Sequence, residues 1–159
     1  MTRIRIALFV LVAALIAGCG ATKKPREDPG AFAKQVVDLI VHNKYSAVWD
    51  DLHPADQKVA PFSEYVGCEN RNPVIAVPRT MKVLTVNDES IGIGNGKFVD
   101  SKAVGVRLGF AGDFKVTHTV HLVADHGKWK WILPAWRYRD YKGDKCPTDA
   151  GSAPPPVQS

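Results

Sequence analysis

The chain is poor in the residues that announce chemistry. Its 159 residues contain three cysteines and two methionines. Beyond residue 17 there is no long apolar run, and a membrane-spanning helix needs roughly 17 to 25 apolar residues. The histidines at 42, 53, 118, 121 and 126 follow no zinc-ligand spacing, and His118 and His121, three apart on a strand, point to opposite faces. No serine lies in a nucleophile elbow, and the glycines at 92, 94 and 96 lead into no helix start that could help bind phosphate. Lysine and arginine are not gathered on one element, so nucleic-acid binding is set aside. No internal repeat is present. Metal, cofactor and nucleic acid are therefore not expected.

What is present begins at the start of the chain. Arg3 and Arg5 precede the apolar run Ile6 to Ala17, and small residues follow. This is the order of a secretory signal, with residues 1–18 removed on export. Ile16-Ala17-Gly18-Cys19 resembles a bacterial lipobox, in which the cysteine is acylated on sulfur and becomes the first residue of the mature protein. The alternative is an ordinary signal peptide with an incidental cysteine. With Cys19 lipidated, the protein is expected on the outer face of the cell membrane, where acyl chains in addition to a single one make anchoring stable. Loss of Arg3 and Arg5 lowers the formal charge from +5 to +3.

Assigning Cys19 to lipid leaves Cys68 and Cys146, a pair with one intramolecular connectivity in an oxidising compartment. A disulfide is expected, the alternative being two buried thiols. The mature length suits one domain. Residues 19–28, charged and interrupted by Pro25, read as a lipidated tether. Residues 147–159, rich in Pro, Ala, Gly and Ser, read as a disordered tail.

Between them the pattern changes once. Asp28-Pro29 is an N-cap followed by proline in the first turn, opening a helix whose inner face carries Phe32, Val36, Leu39 and Ile40, widened by Val37 and Val41. Asn43-Lys44 breaks it. Tyr45 to Leu52 reads as a second helix, Pro54 to Lys58 as a short turn, and Pro61 to Glu69 as a further helix. From Thr80 the residues alternate, with strands expected over 80–87, 102–111, 114–122 and 128–133 and residues 91–97 read as a flexible connection, continuation of a hairpin being the alternative. Short turns between the later strands imply an antiparallel meander. The class is α+β, with short N-terminal helices packed on a curved sheet of four or more strands.

This order resembles the cone-shaped fold of the nuclear transport factor 2 superfamily, which also holds ketosteroid isomerase and polyketide-cyclase relatives. Trp49-Asp50-Asp51-Leu52-His53-Pro54-Ala55, Tyr65-Val66-Gly67-Cys68, Gly127-Lys128-Trp129-Lys130-Trp131 and the late Cys146 resemble small secreted actinobacterial lipoproteins of that superfamily, over residues 29–146. The resemblance implies a pocket on the concave sheet face, to which Tyr45, Trp49, Phe62, Tyr65, His118, Trp129 and Trp131 are assigned. It also implies that a Cys68–Cys146 bond ties the last helix before the sheet to the segment after it.

Catalytic relatives usually set a carboxylate in the cone, and the rows Val104 to Phe110 and Phe114 to Leu122 contain none. A non-enzymatic domain that binds a small apolar ligand or an envelope partner is thus the leading expectation. One alternative is an isomerase, dehydratase or cyclase using His118 as base, although a lone histidine in an apolar row is more often a core residue. Another is an interaction or homodimerisation module acting through the outer sheet face, where Arg107, Lys115, His121, Lys128 and Lys130 gather.

Overall fold

The computed structural model describes residues 24–93 and 96–148. The expected signal segment, Cys19 and residues 149–159 of the expected tail lie outside the described residues. Helix α1 spans Pro29–Val41, α2 Tyr45–Asp50, α3 Pro54–Gln57 and α4 Phe62–Arg71. Strands β1 (Thr80–Ile93), β2 (Lys97–Gly109), β3 (Lys115–Asp125) and β4 (Lys128–Ile132) form one sheet in the order β1-β2-β3-β4, and α5 (Ala135–Lys142) follows. The sheet is antiparallel and curved but not closed, so the α+β expectation holds. Among the described residues no helix is long and apolar enough to cross a membrane.

α1 starts where its cap residues place it, with the Asp28 carboxylate accepting the Ala31 N–H at 2.8 Å and Pro29 in the first turn. It ends before Asn43, which takes a positive φ of 56°, a conformation asparagine tolerates better than most residues. The buried face comprises Phe32, Ala33, Val36, Val37 and Val41, while Leu39 and Ile40 are only half-buried. The inner stripe is therefore rotated from the one expected. α2 stops at Asp50, two residues early, because Leu52 leaves the helix to bridge Trp131 on β4.

The β1–β2 hairpin continues beyond the strand bounds expected at 87 and 102. Residues 88–93 pair with 97–102 in unbroken register, although Asp88, Glu89, Ser90 and Gly92 favour loops over strands. Cross-strand pairs compensate. Lys102 bonds Asp88, and Ser101 Oγ donates to Glu89 Oε1 at 3.0 Å. A bulge at Leu84 interrupts the β1–β2 register. α5 also goes beyond the expected elements, since its residues show no apolar stripe of their own.

The core lies between the helices and the concave face. α1 packs across all four strands, and Val36, Val48, Leu52, Val104, Val106 and Leu122 are completely excluded from solvent. Each such side chain contributes about 1.5 to 3 kcal/mol relative to exposure. Cys68, at the end of α4, is disulfide-bonded to Cys146 across a sequence separation of 78, with Cα atoms 5.2 Å apart.

Candidate functional site

The concave face gathers most of the aromatic residues assigned to a pocket, and they fill it. Trp129 and Trp131 project from the same face of β4, 6% and 4% exposed, and Tyr65 of α4 packs edge-on to Trp131 with ring centroids 6.5 Å apart. Each indole donates to a backbone carbonyl at 2.8 Å: Trp131 to Val48, Trp129 to Glu27 and Trp49 to Ala60. Tyr45 donates its hydroxyl to Asn43 Oδ1 at 2.6 Å. Among the described residues no buried side-chain nitrogen or oxygen lacks a partner. These groups are spent on the protein itself.

Phe62 and His118 stand apart from this cluster. Phe62 lies on the rim, 46% exposed, edge-on to Trp49 at 5.3 Å. His118 opposes Val106 on the concave-side row of β3, as strand alternation requires, yet it is exposed. Val120 and Leu122, further along the same row, are buried. The helical cover therefore ends between His118 and Val120.

Two depressions lie elsewhere, on the helical side. One, of about 290 Å³, is bordered by Asn43, Tyr45, Val66 and Asn70. The other, of about 410 Å³, lies over the disulfide beside Glu64, Arg71 and Asp144. Neither is lined by Trp129, Trp131 or His118.

The buried ionisable groups are ones the sequence pattern does not single out. Asp56, 1% exposed, accepts the Leu133 N–H at 2.8 Å. Burial pushes its carboxyl up to about 6, against the opposing effect of that hydrogen bond. Glu69, 7% exposed, accepts from Arg137 and from the Tyr141 hydroxyl at 2.8 Å. Burial, and then the Glu69 charge, push the Tyr65 and Tyr141 hydroxyls far above the ordinary phenol range. Burial opposes the charge on Arg137, but Glu69 outweighs it and the guanidinium is held more firmly protonated. Enclosed in this way, both carboxylates join elements rather than meet a ligand. Glu69 could have been found, since it follows Tyr65 and Cys68 on one helical face. Asp56 could not, because its turn offers no periodicity.

The outer face carries Arg107, Lys115 and Lys128 exposed, but it is not uniformly basic. His121 pairs with Glu89, which also accepts from Ser101, so one carboxylate links three strands. Lys130 donates to the Asp50 carbonyl at 2.6 Å. No metal-binding cluster of His, Cys, Asp or Glu exists among the described residues.

The two sheet edges differ. β4 is covered by the chain after α2: His53 N–H donates to the Trp131 carbonyl at 2.8 Å, and Trp131 N–H to the Asp51 carbonyl at 3.1 Å. That cover desolvates both flanking groups, lowering the His53 imidazole and raising the Asp51 carboxyl from their ordinary values. At the other edge, among the described residues, nothing pairs with the outer side of the 14-residue β1. Leu84 and Val86 there are 41% and 42% exposed, and Ile75 and Val77 on the segment between α4 and β1 are 96% and 55% exposed. Comparison with known proteins finds neither a family model nor a curated protein that matches this chain.

Proposed function

We propose that the chain is an exported lipoprotein, held through lipid on Cys19 to the outer face of a bacterial cell membrane. Its domain, built on the plan of the nuclear transport factor 2 superfamily, acts as a binding module for an envelope protein rather than as an enzyme. The observation that carries the binding role is the open β1 edge. A long edge strand presents unpaired backbone donors and acceptors to any incoming strand, and here exposed Leu84 and Val86 add apolar contact. The Leu84 bulge and the charges of Lys82, Asp88 and Glu89 restrict indiscriminate pairing.

A small apolar ligand in the concavity has less support, because the tryptophans and Tyr65 occupy that space. Acid–base chemistry at His118 has less support too, since the imidazole is solvent-exposed beyond the helical cover and not enclosed with a substrate. The test is site-specific photo-crosslinking in intact cells from position 86 and from position 118, alongside mass analysis of the mature N-terminus. Specific adducts from position 86, lost on Leu84→Lys, support the edge as the contact. A second copy of this chain as the sole adduct would assign the edge to homodimerisation. Adducts confined to position 118 would overturn the edge reading, and an unmodified Cys19 would overturn the anchor.

A further inference from the structure

The sequence alone suggests a free tether from Cys19 to Asp28, but part of that segment belongs to the folded surface. Pro25 is buried, the Glu27 carbonyl accepts the Trp129 indole N–H at 2.8 Å, and Asp28 caps α1. The chain therefore belongs to the folded surface from Pro25 onward. Five peptide units separate Lys24 from Cys19, a reach of at most about 18 Å when fully extended. The interfacial layer of one leaflet takes about 6 Å of that. What remains, about 12 Å, is close to the diameter of one helix.

Trp129 opposes Ala124, next to the β3–β4 turn, so the chain exit lies near that end of the sheet. The β1–β2 hairpin extends past the same end. β2 pairs with β3 only from Ser101 onward, which leaves Lys97 to Asp100 paired with β1 alone. That two-stranded segment is about 13 Å long, its outer half lies beyond the level of Asp125 at the end of β3, and it displays Phe98, 74% exposed, facing Gly92 across the hairpin. An isolated two-stranded ribbon is marginal in water, and an exposed aromatic on one suits the interface between headgroups and acyl chains. Arg26 and Lys128, exposed near the same end, suit anionic headgroups, although Glu27 and Asp125 temper their charge.

We propose that this end of the sheet is the membrane-facing end, and that the overhanging hairpin places Phe98 in the headgroup region of the lipid surface to which the chain is anchored. This rests on the lipidation reading of Cys19. The short reach holds the domain close to the bilayer, and the Trp129–Glu27 bond sets its orientation. Phe98 is then the second contact that stops the domain from swivelling about its lipid.

The test uses the full lipid-bearing chain on vesicles of phosphatidylcholine with one-third phosphatidylglycerol. A fluorophore is attached at position 98 (Phe98→Cys) or at position 114 (Phe114→Cys), at the opposite end of β3, and a headgroup-attached quencher reads proximity. Eleven residues of β3 separate the two ends by about 36 Å. Quenching at least fivefold stronger at 98 than at 114 is expected. Comparable quenching at both positions, or stronger quenching at 114, would overturn the orientation while leaving the anchor intact. A mature chain with unmodified Cys19 that does not associate with vesicles would overturn both.

Discussion

The Asp56 carboxylate and the Leu133 backbone N–H, 77 residues apart in sequence, meet at 2.8 Å in the interior. The contact fastens the turn after α2 to the chain leaving β4, two residues beyond Trp131, which bridges Leu52. The covered sheet edge thus ends in a buried acid whose proton is held more tightly in the folded protein than in the unfolded chain.

That difference gives stability a definite pH dependence. The Asp56 carboxyl lies at about 6 when folded against 3.8 unfolded. Its contribution is fully present below the unfolded value and is lost as pH rises through 6, on the order of 3 kcal/mol in all. Asp56→Asn keeps an acceptor for Leu133 and removes the titration. Denaturant unfolding at pH 4 and pH 7 should show a stability difference smaller in Asp56→Asn than in the native protein. Asp56→Ala should lose about 1 to 3 kcal/mol at pH 4, because the Leu133 N–H is left buried without its acceptor. An identical pH profile in native and Asn proteins would rule the assignment out.

Glu69 and Arg137 make a more one-sided prediction. Removing one member of a fully buried ion pair costs about 3 to 5 kcal/mol; here Glu69 is buried and the Arg137 side chain is 21% exposed. Glu69→Gln should approach that range, since the Tyr141 hydroxyl loses the same carboxylate. The double variant Glu69→Gln with Arg137→Met should recover part of the loss. Thermal melts of the single and double variants decide the matter. A double variant less stable than Glu69→Gln would mean that Arg137 contributes mainly through packing, such as its stacking 5.0 Å over Trp136.

These two carboxylates also mark where the sequence stops being informative. The start of α1 is legible because Asp28 and Pro29 satisfy a local rule, and the disulfide because assigning Cys19 elsewhere leaves a single pair. α5 is not legible: Trp136, Tyr138 and Tyr141 are spaced among Arg137, Arg139 and Lys142, and its docking depends on Glu69, far away in sequence. The length of β1 is hidden for the same reason, since Asp88 and Glu89 look like loop residues until Lys102, Ser101 and His121 lie beside them. Alternation correctly puts His118 and the two tryptophans on concave-side rows. It carries no information on where the helical cover ends, so it cannot separate a filled concavity from an open pocket.

Two neighbouring acids on β1 should behave differently. Glu89, 29% exposed, joins His121 and the buried Ser101 hydroxyl, whereas the Asp88 partner of Lys102 is 84% exposed. Glu89→Ala should cost about 1 kcal/mol and speed amide hydrogen exchange across the hairpin. Asp88→Ala should change stability by less than about 0.5 kcal/mol, as exposed pairs do. Equal exchange rates in the two variants would show that the hairpin is held by its backbone ladder alone.

The disulfide and the Glu69 cluster connect the same two parts of the molecule, and this makes them dependent on each other. Cys68 and Glu69 are adjacent on α4, while their partners, Cys146 on one side and Arg137 and Tyr141 on the other, belong to α5 and the segment after it. Closing a loop of this length removes about 4 kcal/mol of unfolded-state entropy in the chain model, and measured bonds often give less. Replacing both cysteines by serine should therefore lower stability by about 2 to 4 kcal/mol. Once that link is gone, α5 can detach locally, so the further loss of Glu69 costs less than it does in the oxidised protein. The triple variant should fall short of the additive sum by at least about 0.5 kcal/mol, the threshold above which neighbouring sites count as coupled. Strict additivity in denaturant unfolding would mean that α5 is held by the Tyr65–Tyr141 ring contact, with centroids 5.9 Å apart, whatever the state of the sulfurs.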